Sequence, residues 1–254
     1  MQPRRRPIRR AALRCLAAAL SALLFGARAV PTPAQEPVRE RDRIRLPEPR
    51  REGAVSVERA LAGRRSVRTY APEAVALAAL GQLLWSAQGV SRRVPDPPPG
   101  FRYPWSGGLR TAPSAGALYP LEVYAVVGRI EGLEMGLYRY VPVEHALERV
   151  ARGDLRDEVR EAALGQAALG EAPLTLVIAG VVARTAAKYG ERAERYVHME
   201  AGAAAQNVYL ACETLGLGTV YIGAFRDDGV REALGLPADE AALVLMPVGR
   251  PGRE

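Results

Sequence analysis

Leu77, Leu80, Leu84 and Ala87 recur at three- and four-residue spacing and stop at Gly89, a pattern that predicts a helix with one apolar stripe. Pro72 stands where the first turn of that helix is expected, and Ser56 is placed to cap a shorter helix running to about Ala62. Residues 121–128 (LEVYAVVG), 137–140, 174–182 (LTLVIAGVV), 219–222 and 243–248 read as strands, several of them apolar at nearly every position. Strands without polar alternation are expected to be covered on both faces. A long helix is expected over 191–215, and its small-residue run at 201–207 (AGAAAQN) invites close approach of another helix, read here as a dimer seam. The Pro- and Gly-dense run 91–113 reads as a surface loop long enough to act as a lid. Helices and strands interleave without an internal repeat, which gives an α+β class.

Charge changes the picture only at one end. The formal charge is +7, but seven arginines and no acid fall between Met1 and Ala29, so the rest of the chain is neutral on balance. No basic body remains to bind nucleic acid. Residues 1–29 instead have the anatomy of an export signal: an arginine-rich start, an apolar core at 15–25 and an A-x-A pattern at 27–29. That core is shorter than the about 20 residues a membrane span requires. The Arg9-Arg10 pair resembles a degraded twin-arginine signal, the route for proteins exported already folded. The expected location is therefore exported, with a cytoplasmic chain as the alternative. Residues 30–52 are rich in Pro, Arg and Glu and read as a linker, leaving 53–254 as a single domain. Removing the signal removes Cys15, so Cys212 has no disulfide partner.

The candidate chemistry lies in four short motifs. Arg64-Arg65-Ser66-Val67-Arg68 brings three guanidinium groups and a hydroxyl together after the first helix, a composition suited to phosphate oxygens or to a solvated turn. Pro113-Ser114-Ala115-Gly116-Ala117-Leu118-Tyr119-Pro120 is a small-residue loop entering a strand, where backbone can approach a flat ring. The glycines of 216–223 (GLGTVYIG) follow a helix and precede a strand, the reverse of a dinucleotide fingerprint. Neither a P-loop, a zinc spacing nor a G-x-S-x-G elbow occurs, and His145 and His198 do not form a ligand pair by spacing, so no metal is expected. The fourth motif is Lys188-Tyr189. Lys188 is the only lysine, in a chain that uses arginine at every other basic position. Lysine differs from arginine in that its pKa falls readily on burial, as a proton-transfer residue requires.

Taken in order, RRSVR, PSAGALYP, KYGER followed by EAGAAAQN, GLGTVYIGAF and a terminal PVGRP resemble the FMN-dependent nitroreductase family, and within it the thiazole/oxazole-forming (SagB-type) dehydrogenases, over about residues 55–252. The resemblance implies a sandwich of sheet and helices that forms an intertwined homodimer with FMN at the interface. It implies that Arg64, Arg65, Ser66 and Arg68 hold the phosphate and ribityl chain, with Arg250 near the phosphate. Pro113, Ser114 and Ala115 would approach the flavin from the second subunit, and Tyr221, Ile222, Gly223 and Ala224 would lie near the ring. Lys188 and Tyr189 match the catalytic pair of the azoline-oxidising branch. One departure stands out: nitroreductases place Asn and Gln where this chain has Ala117 and Tyr119.

The expected reaction moves a hydride between a small or heterocyclic substrate, including a peptide heterocycle, and flavin N5 while Lys188 removes a C–H proton. Lys188 must then be neutral, through desolvation or a neighbouring cation such as Arg184 or Arg192. Two alternatives stay open at this point: an NAD(P)H-dependent nitro or quinone reductase, and a non-catalytic flavin-binding partner protein.

Overall fold

The computed structural model describes residues 43–252. The expected export signal and residues 30–42 of the expected linker lie outside them. Nine strands and seven α-helices are present among the described residues. Seven strands form one sheet, all neighbours antiparallel, in the order β1-β6-β5-β4-β7-β9-β8. In chain order these are β1 (Arg43–Arg45), β4 (Leu121–Val127), β5 (Gly136–Val141), β6 (Ala146–Arg152), β7 (Leu174–Gly180), β8 (Gly218–Thr219) and β9 (Ala241–Gly249). The two remaining strands, β2 (Val90–Arg93) and β3 (Gly108–Arg110), form a separate hairpin.

Both faces of the sheet are covered, which explains strands without polar alternation. Val123, Ala125 and Val127 of β4 pack on one side with α2 (Leu77–Gln88) and α6 (Ala193–Leu215). Tyr124 and Val126 point the other way, toward α3 (Arg156–Ala162) and α7 (Asp227–Leu234). The period of two in a strand sends alternate apolar residues to two cores, and every position of β7 is buried. The sequence-based expectation of an α+β sandwich therefore holds. Among the described residues no helix is long and apolar enough to cross a membrane.

Several boundaries differ from the sequence reading. The segment read as linker contributes β1, which pairs with Ala146–Glu148, and buries Leu46 against the core. Ser56 caps α1 (Val57–Gly63) as expected, accepting from the Arg59 N–H at 3.2 Å. Pro72, by contrast, lies outside α2: Val75 bridges Ile130 and donates to Arg129 O, which keeps the chain extended until Ala76. The expected strand 174–182 ends at Gly180, and Val182 begins α5 (Val182–Tyr189). Short helices α3, α4 (Ala167–Glu171), α5 and α7 were not foreseen, because each offers only about two turns or fewer of apolar periodicity.

The small-residue run also divides differently from expectation. Ala201, Ala204 and Ala205 are fully buried in the chain's own core, while Gly202, Ala203, Gln206 and Asn207 are partly or fully exposed. Small size here lets α6 lie close to α2 and the sheet. Ala204→Leu is accordingly expected to overpack the monomer core and lower stability by about 1–3 kcal/mol. Thermal unfolding at several protein concentrations checks this; a loss that disappears on dilution would place Ala204 at a subunit contact instead.

Candidate active site

The candidate residues fall into two groups held by α6. The first is built on Tyr209. Its hydroxyl lies 3.1 Å from Ser66 Oγ and accepts from the Tyr221 N–H at 2.8 Å, while Arg64 stacks over its ring at 5.0 Å. One buried phenol thus joins the arginine-serine cluster to the glycine-flanked turn 220–224. Val67 N–H donates to Thr219 O, and Ser66 bridges Thr219 in parallel register. Gly218 permits this approach, since a Cβ there would lie 2.7 Å from Val67. Arg250 joins the same edge: its carbonyl accepts from Ala71 N–H, and Gly252 N–H donates to Thr69 O.

Arg65, Ser66, Arg68 and Arg250 are exposed, and Arg64 is half-buried. Among the described residues no carboxylate pairs with any of these four arginines. Arg65 instead donates to the carbonyls of Ala62, Gly63 and Arg64. Tyr221 is exposed and Gly223 and Ala224 lie beside it, whereas the Ile222 side chain is buried in the core and offers only backbone. Ala224 O is held by Gln166.

The second group surrounds the loop 113–119. Gly116 has φ +62°, and a Cβ there would lie 2.8 Å from Lys188 Nζ and 2.9 Å from the Tyr189 hydroxyl. Both side chains therefore converge on the loop backbone. Lys188 Nζ lies 5.3 Å from the Tyr189 ring centroid and 5.7 Å from that of Tyr103. Tyr103 belongs to the connection between β2 and β3, where Phe101 packs edge-on against both Tyr103 and Trp105. The segment expected to be a surface loop is thus a hairpin with an aromatic tip against Lys188. Tyr189 in turn packs edge-on against Tyr196 of α6 at 5.0 Å.

Loop 113–119 is strained and clamped. Ala117 (φ 55°) and Tyr119 (φ 46°) join Gly116 in the left-handed region. Ala115 N–H donates to Glu200 Oε1 at 2.8 Å, Tyr119 N–H to Ser114 Oγ at 2.9 Å, and Arg184 to Tyr119 O at 2.8 Å. The Tyr119 side chain is buried, with its hydroxyl accepting from Arg110 N–H and its ring under the Arg110 guanidinium. Arg184 is ion-paired with Glu122, and Arg192 donates to the Tyr196 hydroxyl. The desolvation expected for Lys188 is not supplied by this chain, in which Lys188 is exposed.

These features fit a flavin. The unpaired guanidinium groups suit a phosphate, and the buried hydroxyl of Thr219, beside Ser66, has no protein partner. Pro113, Ala115, Met199 and Ala203 line a cleft of about 300 Å³ with Tyr196 and Glu200, apolar walls suited to a ring. Arg64, Arg65, Ser66 and Arg68 are thus brought together with Tyr221 and Arg250. Pro113, Ser114 and Ala115 are brought together with Lys188 and Tyr189. The two groups are not merged within one chain. Tyr209 and Glu200 are nine residues apart on α6, half a turn in azimuth and about 13 Å along the axis.

Sequence reasoning missed Tyr209, Glu200 and Tyr103. Glu200 carried a usable signal, an acid at a helix position whose neighbours Val197, Ala201 and Ala204 are apolar. Tyr209 reads simply as one more core aromatic.

Residues 61–250 match the sequence profile of the nitroreductase family. A protein named as a nitroreductase in Methanocaldococcus jannaschii is 43% identical over 196 residues, which cover 77% of this chain and 91% of that protein. The microcin B17-processing protein McbC of Escherichia coli is 31% identical over 152 residues, 58% of this chain and 56% of McbC. A crystal structure of a protein from Anabaena variabilis, also named as a nitroreductase, superposes with a TM-score of 0.64 at 31% identity, covering 77% of this chain and 38% of that one. A profile match across most of the chain, a relative matched along nearly its whole length and a shared antiparallel sandwich lead to one conclusion: this chain belongs to the nitroreductase family of flavin-linked oxidoreductases.

Proposed function

We propose that this chain is an FMN-dependent dehydrogenase or oxidase of the thiazole/oxazole-forming type, acting on a small or heterocyclic substrate, with Lys188 as the base. The observation that carries this reading is the convergence of Lys188 Nζ and the Tyr189 hydroxyl on Gly116. Bound flavin would supply the two-electron acceptor. Lys188 would take the C–H proton onto Nζ, and Tyr189, braced by Tyr196, would orient the substrate or relay that proton. The Tyr103 ring, 5.7 Å from Nζ, would form one wall beside the base. The likeness to McbC, a protein named for processing microcin B17, supports the same branch. So does the loop itself, because the positions that hold Asn and Gln in nitroreductases carry Ala117 and a Tyr119 whose hydroxyl is already engaged by Arg110.

The placement of the two groups supports a homodimer. Since they sit on opposite sides of α6, a flavin held by Arg64 to Arg68 of one chain would meet the loop 113–116 of a second. Exposed Val57 and Leu61 of α1, beside an apolar cleft of about 410 Å³ lined by Trp85 and Leu210, offer surface for that second copy. Export through residues 1–29 would separate the enzyme from reduced nicotinamide and so favour an oxidase or quinone-linked dehydrogenase. The second reading, a nitro or quinone reductase, is favoured by the name of the Methanocaldococcus relative. Anaerobic mixing with NADPH separates them: prompt bleaching of the yellow protein would favour the reductase.

The purified protein is expected to release FMN rather than FAD, since a single cluster suited to phosphate is present. Mass spectrometry of the released cofactor checks this. Arg64→Ala and Arg68→Ala are each expected to weaken FMN binding by about 1.5–3 kcal/mol, the scale of a charge-assisted hydrogen bond. Unchanged affinity in both would remove the cluster from the site.

A further inference from the structure

Glu200 is a carboxylic side chain with only 6% of its surface exposed, deep on α6 between two apolar positions of the core, Val197 and Ala201. A buried acid of this kind costs stability unless its hydrogen bonds hold something worth holding. Oε1 accepts from the Ala115 N–H at 2.8 Å, while Oε2 is buried without a hydrogen-bond partner. The peptide it holds joins Ser114 to Ala115, the residue just before Gly116, on which Lys188 and Tyr189 converge. Three residues that follow, Gly116, Ala117 and Tyr119, are left-handed, so this loop does not keep its shape by intrinsic preference. It is kept by its clamps. Ser114 Oγ and Arg184 hold the far end at Tyr119, and Glu200 alone among the described side chains holds the near end.

We propose that Glu200 is a positioning residue for the Lys188–Tyr189 pair, acting through the Ser114–Ala115 peptide it holds. The proposal rests on Lys188 lying in the reaction site but not on its being the base. Burial raises the pKa of Glu200, against the opposing pull of the Ala115 N–H and Ser114. Oε1 is the acceptor for the Ala115 N–H. Glutamine keeps a side-chain oxygen able to accept from the Ala115 N–H at the same reach. Leucine keeps the volume and leaves the Ala115 N–H without an acceptor, and aspartate withdraws the carboxyl by one methylene.

Because Lys188 is the only lysine, protein carrying lysine labelled with ¹³C at Cε gives one lysine signal, whose loss in Lys188→Arg identifies it. In flavin-loaded protein, Glu200→Leu is expected to shift that signal and to lower kcat about 100-fold with KM changed little, the scale of a misplacement of about 1 Å. Glu200→Gln is expected to restore both the signal and kcat. Should the leucine variant fail to fold, Glu200→Asp takes its place with the same expectation. A lysine signal unmoved in the leucine or aspartate variant would overturn the proposal, as would a glutamine variant that behaves like leucine. If Lys188→Arg proves active and the base assignment fails, the lysine signal still decides the role of Glu200.

Discussion

Lys188→Arg is expected to keep its flavin and its fold while losing about 10²–10⁴-fold in turnover, the usual contribution of a positioned acid or base. Arginine preserves the positive charge and its attraction to the Tyr103 and Tyr189 rings, which lie 5.7 and 5.3 Å from Nζ. What it removes is an amine, the group that, unlike a guanidinium, gives up its proton readily on burial. The exposure of Lys188 in the single chain sharpens this expectation. Lys188 is open to water, so a role as base requires that water to be excluded by substrate, flavin or a second copy. The measurement is turnover of any substrate that reduces the bound flavin, with cofactor content by absorbance as the control. Near-normal turnover would return Lys188 to a role as a surface cation.

Gly116→Val should produce a loss of similar kind by a different route. The substitution places a β-branched residue at φ +62°, a conformation that costs an L-residue about 1–2 kcal/mol. Its first side-chain carbon would lie within 3.1 Å of Lys188 Nζ, Lys188 Cδ and the Tyr189 hydroxyl. These are the far ends of flexible side chains, so the clash is relieved by moving them rather than by unfolding the loop. Stability is expected to fall by about 1–2 kcal/mol, while turnover falls by about 100-fold or more as the pair is displaced. Melting temperature and kcat measured on the same preparation separate the two effects. A variant that loses stability but keeps kcat would show that the approach to Gly116 is packing alone.

Much of the arrangement was legible because the physics behind it is local. The apolar runs at 121–128 and 174–182 announced covered strands, since a strand sends alternate residues to opposite faces and both kinds were apolar. Ser56 announced a cap, and the arginine-serine cluster announced an unpaired basic turn. Where the reading went astray, a distant residue had decided the outcome. Pro72 missed its helix because Val75 is held by Arg129 and Ile130, and the tail of the expected linker became β1 because β6 offered an open edge. Ala204 turned inward because α6 presents that face to its own core rather than to a second copy.

By itself the sequence determined the class of fold and the residues with chemistry to offer: the arginines, the small-residue loop and the single lysine beside a tyrosine. Tertiary structure alone decided their grouping. No spacing rule places Tyr209 between Ser66 and Tyr221, or Gly116 beneath Lys188, because these contacts join segments 143 and about 70 residues apart. Nor does any local preference hold three left-handed residues in one loop. That conformation survives because Glu200, Ser114 and Arg184, two of them remote along the chain, accept or donate the hydrogen bonds that fix it.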